Sequence, residues 1–121
     1  MKTRKVIIVD DFKSIRDIVK KLLENKGYEV LESSNGEEAL KMFNGTSYDL
    51  LITDYNMPGM SGADLVRKLR DMSQYMYIPV IMLTSSPRNK IEDQIRDLNI
   101  ACFLQKPFET SHFYSVIEKL T

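Results

Sequence analysis

Polar residues of a particular kind stand where short apolar runs end. Asp10 and Asp11 follow Lys5–Val9 directly, Asp54 follows Leu50–Thr53, Thr84 follows Val80–Leu83, and Lys106 comes just after Ala101–Leu104. Brought together, three carboxylates, a hydroxyl and an ammonium would make an oxygen-rich, net acidic site. Carboxylates that close repel and raise one another's pKa unless a cation joins them. Such ligands suit Mg2+, which takes one or two carboxylates and fills its octahedron with water, carbonyl oxygens and phosphate. With metal and Lys106 in place the site could hold a phosphoryl group. A carboxylate can also attack phosphorus, giving an aspartyl phosphate. Each piece alone has a plainer meaning, since an acidic pair after a strand is commonly a cap or solvated turn and Lys-Pro a turn. Their joint occurrence at four run ends carries the reading.

Convergence requires those run ends to share one edge of a sheet. The runs, with a further one at Val30–Glu32, are short and rich in Val, Ile and Leu, and three are continuously apolar, as strands covered on both faces must be. Helical patterns alternate with them. Ile15, Ile18, Val19, Leu22 and Leu23 mark a first helix, with Gly27 fitting the C′ position. Ala39, Leu40 and Phe43 mark a shorter one, and Leu65, Val66, Leu69 and Met72 a third, beginning near Ser61 as N-cap. Ile91, Ile95 and Leu98 follow Pro87, and Phe113, Val116, Ile117 and Leu120 close the series. Five βα pairs predict an α/β fold with a five-stranded parallel sheet of order 2-1-3-4-5 and five helices on both faces, flavodoxin-like and doubly wound. Ligands of such sheets bind at the carboxyl ends of the strands, where the order reverses between the first and third.

The chain has 121 residues, 43% of them apolar, enough for one domain (1–121) with its own core. Its 17 basic residues balance 17 acidic ones, which argues against a dedicated nucleic-acid binder. A single cysteine, Cys102, excludes an internal disulfide and a cysteine-rich metal framework. The apolar run near the start is too short for a signal peptide or a membrane span. A cytoplasmic protein without membrane insertion is expected.

On the acidic pair Asp10-Asp11, the run Asp54-Tyr55-Asn56-Met57-Pro58-Gly59-Met60-Ser61-Gly62, Thr84-Ser85 and Lys106-Pro107-Phe108, the sequence resembles a response-regulator receiver domain of two-component signalling, over residues 4 to 120. The spacings also fit, at 43 residues from Asp11 to Asp54, 30 on to Thr84 and 22 more to Lys106. The resemblance implies that Asp54 accepts a phosphoryl group from a sensor histidine kinase or phosphotransfer protein. It makes Asp11 a direct Mg2+ ligand, Asp10 a ligand mainly through water, and the Asn56 main-chain carbonyl a further ligand beside Asp54. Lys106 would pair with phosphoryl oxygens, Thr84 would move in to hydrogen-bond them, and Phe103 would be the aromatic that turns inward in response. The fourth helix, fifth strand and fifth helix would form the surface that controls a partner. Such a domain is a switch, acting only in its own phosphorylation and dephosphorylation.

Phe103 lacks the hydroxyl of the commoner Tyr, and Asn99 stands where the family often has Gly, with a tolerance for the left-handed region that preserves the turn. The loop from Arg70 to Pro79, with Tyr75, Met76 and Tyr77, is as long as in chemotaxis-type single-domain members. Asn56 and Ser86 occupy positions that tune access of hydrolytic water in the family. His112 reads as a solvated or half-buried helix residue and Cys102 as a small buried hydrophobe. Met57 and Met60 fit packing or partner contact equally, while Lys13 and Arg16 read as solvated, able to steer an acidic kinase surface. Two other classes compete. One is a phosphorylation-independent interaction module on the same fold, disfavoured by the complete acidic set. The other is a haloacid-dehalogenase-type phosphatase, whose nucleophile and second Asp lie two residues apart, whereas here they adjoin.

Overall fold

The computed structural model describes residues 3–85 and 88–121. Five strands form one parallel sheet: β1 (Lys5–Val9), β2 (Glu29–Ser33), β3 (Leu50–Asp54), β4 (Val80–Thr84) and β5 (Cys102–Gln105), in the order β2-β1-β3-β4-β5. Between and after them run α1 (Lys13–Glu24), α2 (Gly36–Met42), α3 (Gly62–Arg70), α4 (Arg88–Ile95) and α5 (Thr110–Leu120). The expected fold class and strand order both hold.

Alternation along the strands builds two cores. Ile7 and Val9 of β1, with Leu51 and Met82, face Ala39, Leu65, Val66, Leu69, Ile91 and Ile95 on α2, α3 and α4. Val6 and Ile8, with Leu50, Ile52, Ile81 and Leu83, face Val19, Leu23, Phe113, Val116 and Ile117 on α1 and α5. The central strands β3 and β4 are buried at every position, whereas the edge strands β2 and β5 are partly open. Among the described residues no helix is long and apolar enough to cross a membrane.

Helix ends follow local chemistry. Gly27, at φ 88°, donates its N–H to the Glu24 carbonyl while the Tyr28 N–H reaches Leu23, the two bonds of a Schellman stop with Gly27 at C′. Ser61 caps α3 reciprocally with Asp64, and Asn35 caps α2 by accepting the Glu38 N–H.

Several boundaries differ from expectation. Asp54 and Thr84 are the last residues of β3 and β4 rather than their followers, because both still pair in register, with Leu83 and Gln105. The last strand starts at Cys102, not Ala101, and Leu98 falls in a 3-10 turn (Arg96–Leu98) that ends on Asn99 in the left-handed region, φ 57°. Ile18 was expected on the packed stripe of α1 but is 52% exposed, since the buried contacts of that helix centre on Val19 and Leu23.

Candidate functional site

The parallel register delivers all the strand ends to one edge. β1 hands the chain to Asp10, which is wholly buried and donates its N–H to the Ser33 carbonyl at the end of β2. Its carboxylate is engaged on both sides: Oδ1 accepts the Phe12 N–H at 2.9 Å and Oδ2 accepts from Lys106 Nζ at 2.7 Å. Lys106 reaches this point because its N–H bonds the Thr84 carbonyl at 2.8 Å, continuing the β4–β5 ladder past Gln105. The same ammonium lies 3.4 Å from Asp54 Oδ2. Carboxylate oxygens of Asp10, Asp11 and Asp54 all fall within 4.8 Å of one another.

Asp54 is 4% exposed. Met57 folds inward to 8% exposure, and Gly62 packs on the Asp54 backbone so tightly that a Cβ there would lie 2.2 Å from the Asp54 carbonyl oxygen. Burial lifts the Asp54 carboxyl to a pKa of about 6, with Asp10 adding to the rise; Lys106 and a main-chain hydrogen bond from Asn56 oppose it. Asp11 Oδ1 is also buried, and no hydrogen-bond partner reaches it among the described residues. An unmatched acceptor beside two further carboxylates is the donor deficit that a hard divalent cation relieves. The residues therefore fit Mg2+, with Asp11 the most available ligand.

Thr84 is 2% exposed, and it lines a cavity of about 420 Å3 with Phe103, Cys102, Gln105 and His112. Phe103 is half-buried, packs against the core under α4, and also lines a smaller hollow with Ile95 and Asn99. The expected hydroxyl and switch aromatic thus share one cavity wall. His112 is exposed, as expected. Cys102 is half-buried instead of buried, because β5 is an edge strand and leaves its flank open. Ser86 and Pro87 lie outside the described residues.

Two contacts escaped the sequence reading. Arg16 is not solvated: its side chain is 13% exposed, with Nη1 donating to the Asp10 carbonyl at 2.7 Å and Nε to Glu32 Oε1 at 2.9 Å. Lys13, by contrast, is exposed and pairs with Asp17. Glu37 at the start of α2 accepts the Met60 N–H at 2.9 Å and so holds the loop after Asp54 from the side. Neither pairing leaves a local pattern, since partners 16 and 23 positions apart meet only through the fold.

The family model for the response regulator receiver domain matches residues 6–118. The chemotaxis protein CheY of Pseudomonas aeruginosa is 35% identical over 117 residues, which cover 96% of this chain and 94% of that protein. Chemotaxis protein CheY4 of Vibrio cholerae superposes with a TM-score of 0.92 at 32% identity, covering 99% of this chain and all of the other. The response regulator TrrA of Thermotoga maritima, solved in complex with Mg(2+)-BeF, gives a TM-score of 0.87 at 30% identity over 98% of this chain and all of that one.

Proposed function

Because the chain belongs to the response regulator receiver family, we propose that it is a phosphorylation-dependent switch in which Asp54 takes a phosphoryl group from the phosphohistidine of a sensor kinase or phosphotransfer protein. The observation that carries this reading is the acidic cluster itself, three carboxylates with the Lys106 ammonium among them and, among the described residues, an unmatched Asp11 oxygen.

Asp11, Asp54 and the Asn56 main-chain carbonyl would hold Mg2+. Asp10 would act mainly through water, since both its carboxylate oxygens already accept hydrogen bonds. Bound there, the cation would supply charge neutralisation for phosphoryl oxygens. Binding of Mg(2+)-BeF by the relative TrrA supports the assignment.

An ionised Asp54 oxygen is the nucleophile. Its bond to phosphorus forms as the phosphorus–nitrogen bond breaks, and the departing imidazole keeps the electron pair and takes up a proton from solvent. Burial opposes ionisation of Asp54, and Lys106 offsets that burial. After transfer the same ammonium is placed to pair with phosphoryl oxygens. Thr84 is the donor that closes on them, and Phe103, on the wall of the same cavity, follows inward. The surface of α4, β5 and α5 thereby changes for a partner protein.

Incubation with a small acyl phosphate and Mg2+ tests the reading by intact mass. One phosphoryl adduct is expected on the wild type and none on Asp54→Asn. An adduct that persists in Asp54→Asn overturns the assignment of Asp54 as acceptor, and none on either protein overturns the reading in favour of a module that signals by binding alone.

A further inference from the structure

We propose that Arg16 is a positioning residue for the cation site, fixing the Asp10–Asp11 peptide and with it the direction from which the Asp11 carboxylate enters; this rests on the Mg2+ reading above. The guanidinium sits one turn into α1 and spans two elements, donating to the Asp10 carbonyl at 2.7 Å and to Glu32, near the end of β2, at 2.9 Å. That carbonyl belongs to the peptide joining Asp10 to Asp11. Holding it sets the plane of the peptide, and the plane sets how Asp11 leaves the backbone. The Asp10 side chain is fixed independently, by Lys106 and the Phe12 N–H, so Arg16 governs the half of the acidic pair those contacts do not reach.

Charge alone would argue against a guanidinium here. A cation beside the pocket for a divalent cation weakens binding through Coulomb repulsion. Glu32 compensates: its carboxyl is held below the ordinary range chiefly by the hydrogen bond from Arg16, with Lys20 also pairing to it. The pair leaves little net field at the site while keeping the planar fork that two acceptors in fixed directions require. Lys20 reaches the same Glu32 carboxylate at 3.4 Å from one turn further along α1, which makes it the natural control.

Geometry and charge predict opposite signs, so calorimetric Mg2+ titration of the folded proteins separates them. Arg16→Lys keeps the charge but not the fork, and Arg16→Met removes both. Positioning predicts weaker Mg2+ binding in each, by about tenfold in Arg16→Met. Lys20→Met should bind as wild type does. Unchanged affinity in Arg16→Lys, or tighter binding in a folded Arg16→Met, overturns the proposal. Should Arg16→Met fail to fold, Arg16→Lys decides alone. A wild type that shows no saturable Mg2+ binding would instead remove the cation reading on which the inference stands.

Discussion

At the carboxyl end of the sheet, Asp10, Asp54 and Thr84 are buried near the Lys106 ammonium, and among the described residues an Asp11 oxygen lacks a partner. At the amino end the polar groups are matched. Arg70, closing α3, donates to the carbonyls of Tyr75, Met76, Ile78, Leu98 and Asn99, so one guanidinium ties the segment leading into β4 to the turn leading into β5. Tyr75 is 3% exposed and its hydroxyl donates to the Thr46 carbonyl and accepts the Gly45 N–H, clamping the approach to β3. The Lys5 N–H is bonded by Asp49. One end of the same strands is built for cohesion, and the other carries an unrelieved concentration of like charge. Binding chemistry belongs where polar groups remain unmatched, because only there does a ligand improve on the folded protein alone.

The contrast can be broken at either end. The largest effect is expected at Arg70: Arg70→Met should cost about 3 kcal/mol in urea unfolding, since several carbonyls lose a charged donor together, and should leave Mg2+ affinity unchanged. Weakened metal binding in that variant would show that the two ends are not separable. Asp54→Asn should have the opposite sign. With its carboxyl raised from 3.8 to about 6, the native state keeps a proton that the unfolded chain has released between those values, so stability falls as pH rises through that window. Above pH 6, with divalent ions chelated, Asp54→Asn should therefore gain on the order of 2 kcal/mol, and near pH 3 it should gain nothing. A pH-independent gain would place the cost in packing instead of charge. The smallest effect belongs to Tyr75→Phe, which should lose about 1 kcal/mol by thermal unfolding and phosphorylate normally. A larger loss would mean that the clamp on the β3 approach organises more than its own loop.

Most of the fold is legible in the sequence because short apolar runs and helical stripes are local signals. The order of the strands follows from handedness once five βα pairs are seen. The acidic residues, Thr84 and Lys106 are legible for the same reason, each standing at the end of a run. What escapes is decided by neighbours distant in the chain. Nothing near Arg16 distinguishes it from Lys13 on the same helix turn, yet one points inward to Asp10 and the other to solvent. Cys102 reads as core from its neighbours, but the edge position of β5 leaves it half open. Met57, for which packing and partner contact stood level, is settled as core by its 8% exposure. Gly62 stands in the motif run without a local reason; the reason is the Asp54 carbonyl lying where its side chain would be.

The ion pair between Asp10 and Lys106 joins residues 96 positions apart. During synthesis the acidic residues emerge long before Lys106, and closing a loop of that length carries an entropic cost. Until β5 docks, the growing chain holds mutually repelling carboxylates without their counter-charge. An incompletely made molecule therefore carries its acidic residues without the ion pair that ties the first strand's end to the last.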